Sequence, residues 1–375
     1  MAKTRRGSGE GSIHQRLDGL WVAMLDLGYD GKGKRKRRAV YGKTKAEVCG
    51  KLIKLQSDAQ NGLLVDPSRK TVSEFLAAWL ESVARPAIRP STYVRYERIV
   101  RLYINPYLGG VVLNKLAPPQ VQSAYTTMEK DGLSPSKRES AHTILRMALD
   151  QALKWGLVAR NVCTAVQKPR VKKKAFQVLS PEEAYRFLRA AEDDRLYALY
   201  VLAITTGLRQ GEMLALRWQD LDLKVGALSV RHTLVDLNGK LELGEPKTAK
   251  GKRRVMLPTM AVKALKDHRK AMLAEGNLGE WVFCDTEGGL IRKSNFVRRS
   301  FKPLLKKAKV PEVRFHDLRH TAATMLLSEG VHPKVVQEIL GHSQISVTLD
   351  TYSHVLPSMQ VEAASKVDNL FARLG

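Results

Sequence analysis

The sequence predicts an α+β protein that is mainly helical: a small N-terminal three-stranded sheet plus helix, a helical middle region, and a mixed α/β C-terminal region. Three observations predict it. Apolar residues alternate around Asp18-Gly19, they recur at helical spacing from Thr71 to about Trp155, and beyond residue 175 helical stretches flank a hairpin signal at Asn238-Gly239. A chain of 375 residues is too long for one ordinary core, and 44% hydrophobic residues can fill more than one. Composition shifts place the boundaries at 1–65, 66–170 and 171–375.

Residues 12 to 25 read as two short strands turning at Asp18-Gly19, and a third strand is expected at Arg38 to Tyr41. Thr44 can cap a helix running through Leu55. Asn61-Gly62 and Asp66-Pro67 then mark a linker. From Thr71, Val72, Phe75, Leu76, Trp79 and Leu80 share a helix face. A second helix from Ser91 carries Tyr93, Tyr96, Ile99 and Val100, and Pro118-Pro119 and Ser134-Pro135 open two more. The result is a four-helix unit.

In the last region, Ser180-Pro181-Glu182-Glu183 has the cap, first-turn proline and acidic residue of a helix start. An apolar helix from about Arg195 to Thr206 stops at Gly207. Strands are expected at Ala227 to Leu237, Lys240 to Leu243 and Arg254 to Leu257, with Lys247 in the bend between the last two. Asp317 to Gly341 reads as helix, glycine turn, helix, and the helix from Pro333 ends at Gly341.

Charge points to the partner. There are 63 Lys and Arg against 37 Asp and Glu, a net charge of +26. Residues 1–65 carry +8 of it, residues 66–174 carry +11, and the rest +7. Such an excess suits a polyanion. No stretch approaches the roughly 20 continuous apolar residues of a spanning helix, and no signal-peptide pattern opens the chain. Nucleic acid is therefore expected rather than membrane. The candidate contacts are the run Lys32, Lys34, Arg35, Lys36, Arg37, Arg38, then Arg95 and Arg98, then Lys172, Lys173 and Lys174. Solvated loops and linkers would carry the same charges. Cys49, Cys163 and Cys284 have no paired metal spacing, so neither a zinc site nor a disulfide framework is indicated, and a reducing cytoplasm fits.

Chemistry concentrates late in the chain. His316 and Arg319 stand three apart, which places them on one helix face. His342 lies at a helix exit and Tyr352 follows ten residues later. Arg209 in Thr205-Thr206-Gly207-Leu208-Arg209-Gln210-Gly211-Glu212, His316 with Arg319, Leu340-Gly341-His342-Ser343, and Tyr352 together resemble the tyrosine site-specific recombinases, phage and conjugative-element integrase branch, over about residues 175 to 356. That family's lysine matches Lys247, with Lys250 and Lys252 nearby, and its acidic residue matches Glu212.

The resemblance implies a recombinase-type catalytic domain that cleaves and rejoins DNA at attachment sites through a 3′-phosphotyrosyl intermediate. Guanidinium groups suit the oxygens of a pentacoordinate phosphate, so Arg209 and Arg319 are the expected clamp, with His342 as a further donor. Tyr352 is the expected nucleophile, deprotonated with help from the arginines and His316, and Lys247 the expected general acid. No metal or cofactor is expected. Singly, each residue has a duller reading, and His232, His320 and His354 are left in that class.

The N-terminal region resembles arm-type DNA-binding modules of integrases, and the helical region their core-type DNA-binding domain. The expected partners are double-stranded DNA at both site types, a homotetramer on DNA, an accessory DNA-bending protein and an excision factor. A type IB topoisomerase, and a helix-turn-helix regulator using Asp317 to Gly341, are the alternatives. The tail residues Val367, Leu370, Phe371 and Leu374 form an apolar stripe that packs on its own domain or on a neighbouring subunit.

Overall fold

The computed structural model describes residues 11–29, 33, 35–60, 69–172, 176–246, 249–277, 279–352 and 359–373. The chain divides into two compact units, Met1–Lys172 and Lys173–Gly375. The candidate residues Lys32, Lys34, Lys173, Lys174 and Lys247 lie outside the described residues, as do the side chain of Lys36 and the linker signals at 61–67.

In the first unit, strands β1 (Ser12–Gln15), β2 (Trp21–Tyr29) and β3 (Arg35–Gly42) form an antiparallel sheet in that order. Helix α1 (Lys45–Gln60) covers it, with the Glu47 amide donating to the Thr44 hydroxyl at 3.2 Å. Ala23, Leu25, Val48, Leu52 and Leu55 make its core. The third strand starts three residues earlier than its sequence suggests. Arg35, Arg37 and Arg38 are therefore strand residues rather than loop residues, since they pair opposite Tyr29, Asp26 and Leu25, and Arg35 forms an ion pair with Asp26 at 2.5 Å. Charge complementarity across the strands extends the ladder.

Residues 69–172 form the expected helical unit. Its helices are α2 (Val72–Trp79), α3 (Pro90–Ile99), α4 (Pro118–Lys130) and α5 (Pro135–Lys154). Wider turns at Leu80–Ala84 and Val100–Ile104 carry the first two further. Thr71 and Glu74 cap α2 reciprocally. Phe75, Leu76, Ile104, Leu145 and Leu149 are among the buried core, each worth roughly 1.5–3 kcal/mol of apolar burial.

The second unit is built round helix α7 (Tyr197–Thr206), which follows α6 (Pro181–Ala190) and buries eight of its ten residues. An apolar sequence on every side leaves it no solvent face. The short helix α8 (Gln210–Met213) follows. The strand expected at Ala227 to Leu237 is broken at Arg231-His232 into β5 (Ala227–Val230) and β6 (Thr233–Leu237). β5 lies between β4 (Leu221–Asp222) and β8 (Arg253–Met256), whereas β6 turns back on β7 (Lys240–Gly244) as a separate hairpin. The break lets one chain segment serve two sheets, and Arg231 pairs there with buried Asp220 at 3.4 Å.

Helix α9 (Thr259–Ala274) and the helical segment ending in α10 (Lys302–Lys307) complete the shell; neither was anticipated. The unit ends with α11 (Asp317–Ser328), α12 (Pro333–Leu340), α13 (Ile345–Tyr352) and α14 (Met359–Ala372). No helix among the described residues is long and apolar enough to cross a membrane.

Candidate active site

Two left-handed glycines set the site's backbone. Gly207 (φ 61°) ends α7 and Gly341 (φ 69°) ends α12. Space requires glycine as well: a Cβ on Gly207 would lie 2.6 Å from Leu340 Cδ2, and one on Gly341 would lie 2.8 Å from Arg253 Nη1. The two turns thus approach the same place. Arg319, buried on α11, joins them, donating from Nη1 to Gly207 O and from Nη2 to Leu340 O, both at 2.8 Å. Those acceptors are carbonyls at helix C-termini, where partial negative charge favours a cation.

Arg209 follows the first turn in extended conformation and caps α8. Its amide donates to Glu212 Oε2 at 3.0 Å, its Nη1 to Glu212 Oε1 at 2.7 Å, and its Nη2 reaches Gly341 O at 3.4 Å. The Arg209 side chain remains 34% exposed and Glu212 only 2%, so the anchor is inside and the guanidinium open. The second oxygen of Glu212 accepts from Arg253 Nη2 at 3.0 Å. Arg253 also donates from Nε to Ile339 O at 2.6 Å and from Nη1 to Gly251 O at 3.1 Å.

Sequence reasoning missed Arg253. The signal was an arginine two residues from buried Val255 on a strand, hence on its inward face.

Two guanidinium groups therefore hold one carboxylate and a third, that of Arg319, lies near enough to feel its charge, leaving a local excess of two positive charges. Burial acts to raise the Glu212 carboxyl, but Arg253 and Arg209 outweigh it and hold it below the usual range. Burial and then Arg209 push Arg319 down to about 9, still charged at neutral pH. An unbalanced cationic cluster with fork-shaped donors is suited to an oxyanion.

Both histidines of the motifs border this cluster. His316 caps α11, and desolvation, then Arg319 and His320, push its pKa down to about 4, although part of the side chain stays open to solvent. His342 follows the second turn with Nδ1 2.8 Å from the hydroxyl of buried Thr348. Burial first, then Arg319 and Arg209, push it down to about 3. Lys250 Nζ donates to Ser343 O at 3.0 Å, beside His342, whereas Lys252 pairs with Glu245 at 2.7 Å. Lys247 belongs to the undescribed part of that loop.

Tyr352 is the last residue of α13 and is 1% exposed among Ala323, Leu327, Val336 and Leu340 of the same chain. Burial pushes its phenol up to about 12, with Arg319 opposing. Its hydroxyl lies 2.7 Å from His320 Nδ1. His320, left among the ordinary histidines on sequence grounds, is thus in direct contact with the candidate nucleophile. Its position four residues after His316 on a helix was the available signal.

The helix-turn-helix outline of α11 and α12 is real, but its inner faces hold Arg319 and pack Tyr352. No group of three or more metal-ligating side chains converges among the described residues. A cleft of about 740 Å³ lies in the first unit, lined by residues such as Gln122, Arg138, Lys168 and Arg170, remote in sequence from the cluster. Arg95, Arg98, Arg37 and Lys172 are exposed.

Residues 177–359 match the phage integrase family, and residues 71–128 match the phage integrase N-terminal SAM-like domain. A XerC-like tyrosine recombinase of Caldanaerobacter subterraneus subsp. tengcongensis is 33% identical, over 92% of this chain and 95% of its own. The ICEBs1 integrase of Bacillus subtilis is 27% identical over 96% and 100%. The Tn1549 transposon integrase, solved with a circular intermediate DNA, shares the fold at a TM-score of 0.67 and 23% identity, covering 80% of this chain and 99% of that one. A lambda integrase tetramer bound to a Holliday junction gives 0.58 at 19% identity, over 92% and 96%.

Proposed function

The chain belongs to the phage integrase family, the tyrosine recombinases, and from that premise we propose that Arg209, Arg319, His342 and Tyr352 form the centre at which it breaks and rejoins DNA. It is a site-specific DNA recombinase of phage or mobile-element type. The observation that carries the residue assignment is the cluster of Arg209, Arg253 and Arg319 around Glu212, joined through Arg319 to the packing that holds Tyr352.

A scissile phosphate docked on Arg209 and Arg319 neutralises the excess charge, and the donors meet the extra charge of the pentacoordinate transition state. Losing one such donor typically costs on the order of 100-fold in rate. His342 and His316, uncharged before DNA binds, become donors as the phosphate raises their proton affinity. Tyr352 attacks in cis and retains the 3′-phosphate; the leaving 5′-oxygen takes its proton from Lys247, with Lys250 of the same loop as the alternative donor. The phosphotyrosine conserves the bond, so a second 5′-hydroxyl reverses the step without a nucleotide cofactor.

In this reading residues 1–65 bind arm-type sites, 66–170 bind core-type DNA and 171–375 carry out catalysis. Lys32, Lys34, Arg37, Arg38 and the undescribed lysines at 173 and 174 contact phosphates; Arg35 is partly neutralised by Asp26. Deleting residues 1–62 is expected to abolish binding to the outer segments of the attachment site only. An accessory bending protein and an excision factor act with it. Val367 and Phe371 of α14 are 53% and 66% exposed, which suits docking on a neighbouring subunit of a homotetramer; truncation after Pro357 is expected to prevent synaptic tetramers. A nicked attachment-site duplex is expected to trap a covalent adduct with the wild-type chain and none with Tyr352→Phe. An adduct surviving that substitution overturns the assignment.

A further inference from the structure

A buried phenol whose pKa is pushed up to about 12 is ionised at neutral pH in only about one molecule in 10⁵. Attack on phosphorus therefore requires a base within hydrogen-bond reach of Tyr352. The family resemblance gives that help to the arginines and His316, but a different histidine is in contact with the phenol. His320 Nδ1 lies 2.7 Å from the Tyr352 hydroxyl.

The imidazole is held in place on several sides. Phe176 stacks on it with centroids 4.4 Å apart and an interplanar angle of 16°, and the same Phe176 meets the Tyr352 ring edge-on at 6.0 Å. The His316 ring abuts His320 edge-on at 5.4 Å. His316 thus meets edge-on the histidine that holds the phenol, and it borders the arginine cluster.

On the reading that Tyr352 is the nucleophile, we propose that His320 is the catalytic proton acceptor for its phenol. As the phenolic oxygen bonds to phosphorus and the P–O5′ bond breaks, the phenolic proton passes to His320 Nδ1; the 5′-oxygen takes a separate proton from the lysine loop. In rejoining, the 5′-hydroxyl returns its proton to that lysine as it attacks, and the imidazolium protonates the departing phenol. Atoms and charges balance in both directions. The groups facing His320 are Arg314, His316, Asp317 and Arg319 of the α11 turn and Tyr352 of α13. Burial lowers its pKa, with Arg319 and Arg314 in the same direction and Asp317 opposing, so the ring is neutral and ready to accept at neutral pH. Asp317, whose carboxyl Arg314 holds low against the effect of burial, is the counter-charge for the imidazolium once formed.

The test measures single-turnover adduct formation by the full chain on a nicked duplex of its own crossover site, from about pH 5 to 9. His320→Asn offers an oxygen where Nδ1 stands but cannot take a proton. It is expected to slow cleavage by about 10²–10⁴-fold and to remove the acid limb of the rate profile. Replacing the scissile 5′-oxygen by sulfur, which leaves without a proton, is expected not to restore it. His320→Gly is expected to regain rate in proportion to added neutral imidazole, a response that a merely structural loss does not give. The proposal is overturned if His320→Asn keeps its rate within about threefold with the wild-type profile, if sulfur restores it, or if imidazole fails to rescue His320→Gly. An adduct persisting in Tyr352→Phe would instead remove the underlying nucleophile assignment.

Discussion

Exchanging Glu212 for Gln preserves shape and removes the carboxylate set among Arg209, Arg253 and Arg319. That carboxylate accepts from Arg209 N at 3.0 Å, Arg209 Nη1 at 2.7 Å and Arg253 Nη2 at 3.0 Å, with its side chain 2% exposed. An amide has one oxygen, so its NH2 group must face a guanidinium donor. Removing one partner from a buried ionic cluster costs about 3–5 kcal/mol. At about 2–4 °C per kcal/mol for a unit of this size, Glu212→Gln is expected to lower the melting temperature by roughly 6–20 °C.

Acid dependence gives a second signature. The folded-state carboxyl lies below its ordinary value of 4.5, so its contribution is fully present above that value and is lost as pH falls through the folded one. The gap between wild type and Glu212→Gln is therefore widest near neutrality and narrows in acid. Scanning calorimetry of the DNA-free chain between about pH 3 and 7 reads both. A variant melting within about 1 °C of wild type at neutral pH, or a gap unchanged down to the acid end, would mean that the Glu212 carboxylate does not stabilise the cluster.

Arg253→Lys keeps the charge but cannot span Glu212, Ile339 O and Gly251 O together; losing two of the three hydrogen bonds costs about 2–4 kcal/mol, read by urea unfolding, and slows cleavage with Tyr352 intact. Gly207→Ala places a Cβ 2.6 Å from Leu340 in a left-handed backbone, at a cost of about 1–3 kcal/mol on the same assay, whereas Gly239→Ala, also at positive φ but with open space around it, carries no clash. DNA binding is expected to take up protons at about pH 6, because His316 and His342 sit near 4 and 3 in the free chain and a phosphate raises both; binding enthalpy that is independent of buffer ionisation contradicts this.

Much of this site was legible because spacing carries the chemistry. Glu212, three residues after Arg209, accepts from both its amide and its guanidinium at the start of one short helix, and the left-handed glycines before Arg209 and His342 announce the turns that bring them together. The charged pairs across chain-distant segments were not legible. Arg253 reaches Glu212 and Ile339 only through the folding of β8 against α12, and His320 meets Tyr352 across 32 residues. The strand break at Arg231-His232 escaped for the same reason: its cause is a pairing choice between two sheets, invisible in local propensity. β3 was read too short because a run of arginines resembles a loop until Asp26 stands opposite.

Protease digestion of the trapped DNA adduct, followed by mass spectrometry of the nucleotide-bearing peptide, identifies the residue that attacks DNA. A single modified peptide is expected, joined to the DNA 3′-phosphate through the oxygen of Tyr352. Attachment at another residue, or through a 5′-phosphate, would contradict the assignment of Tyr352.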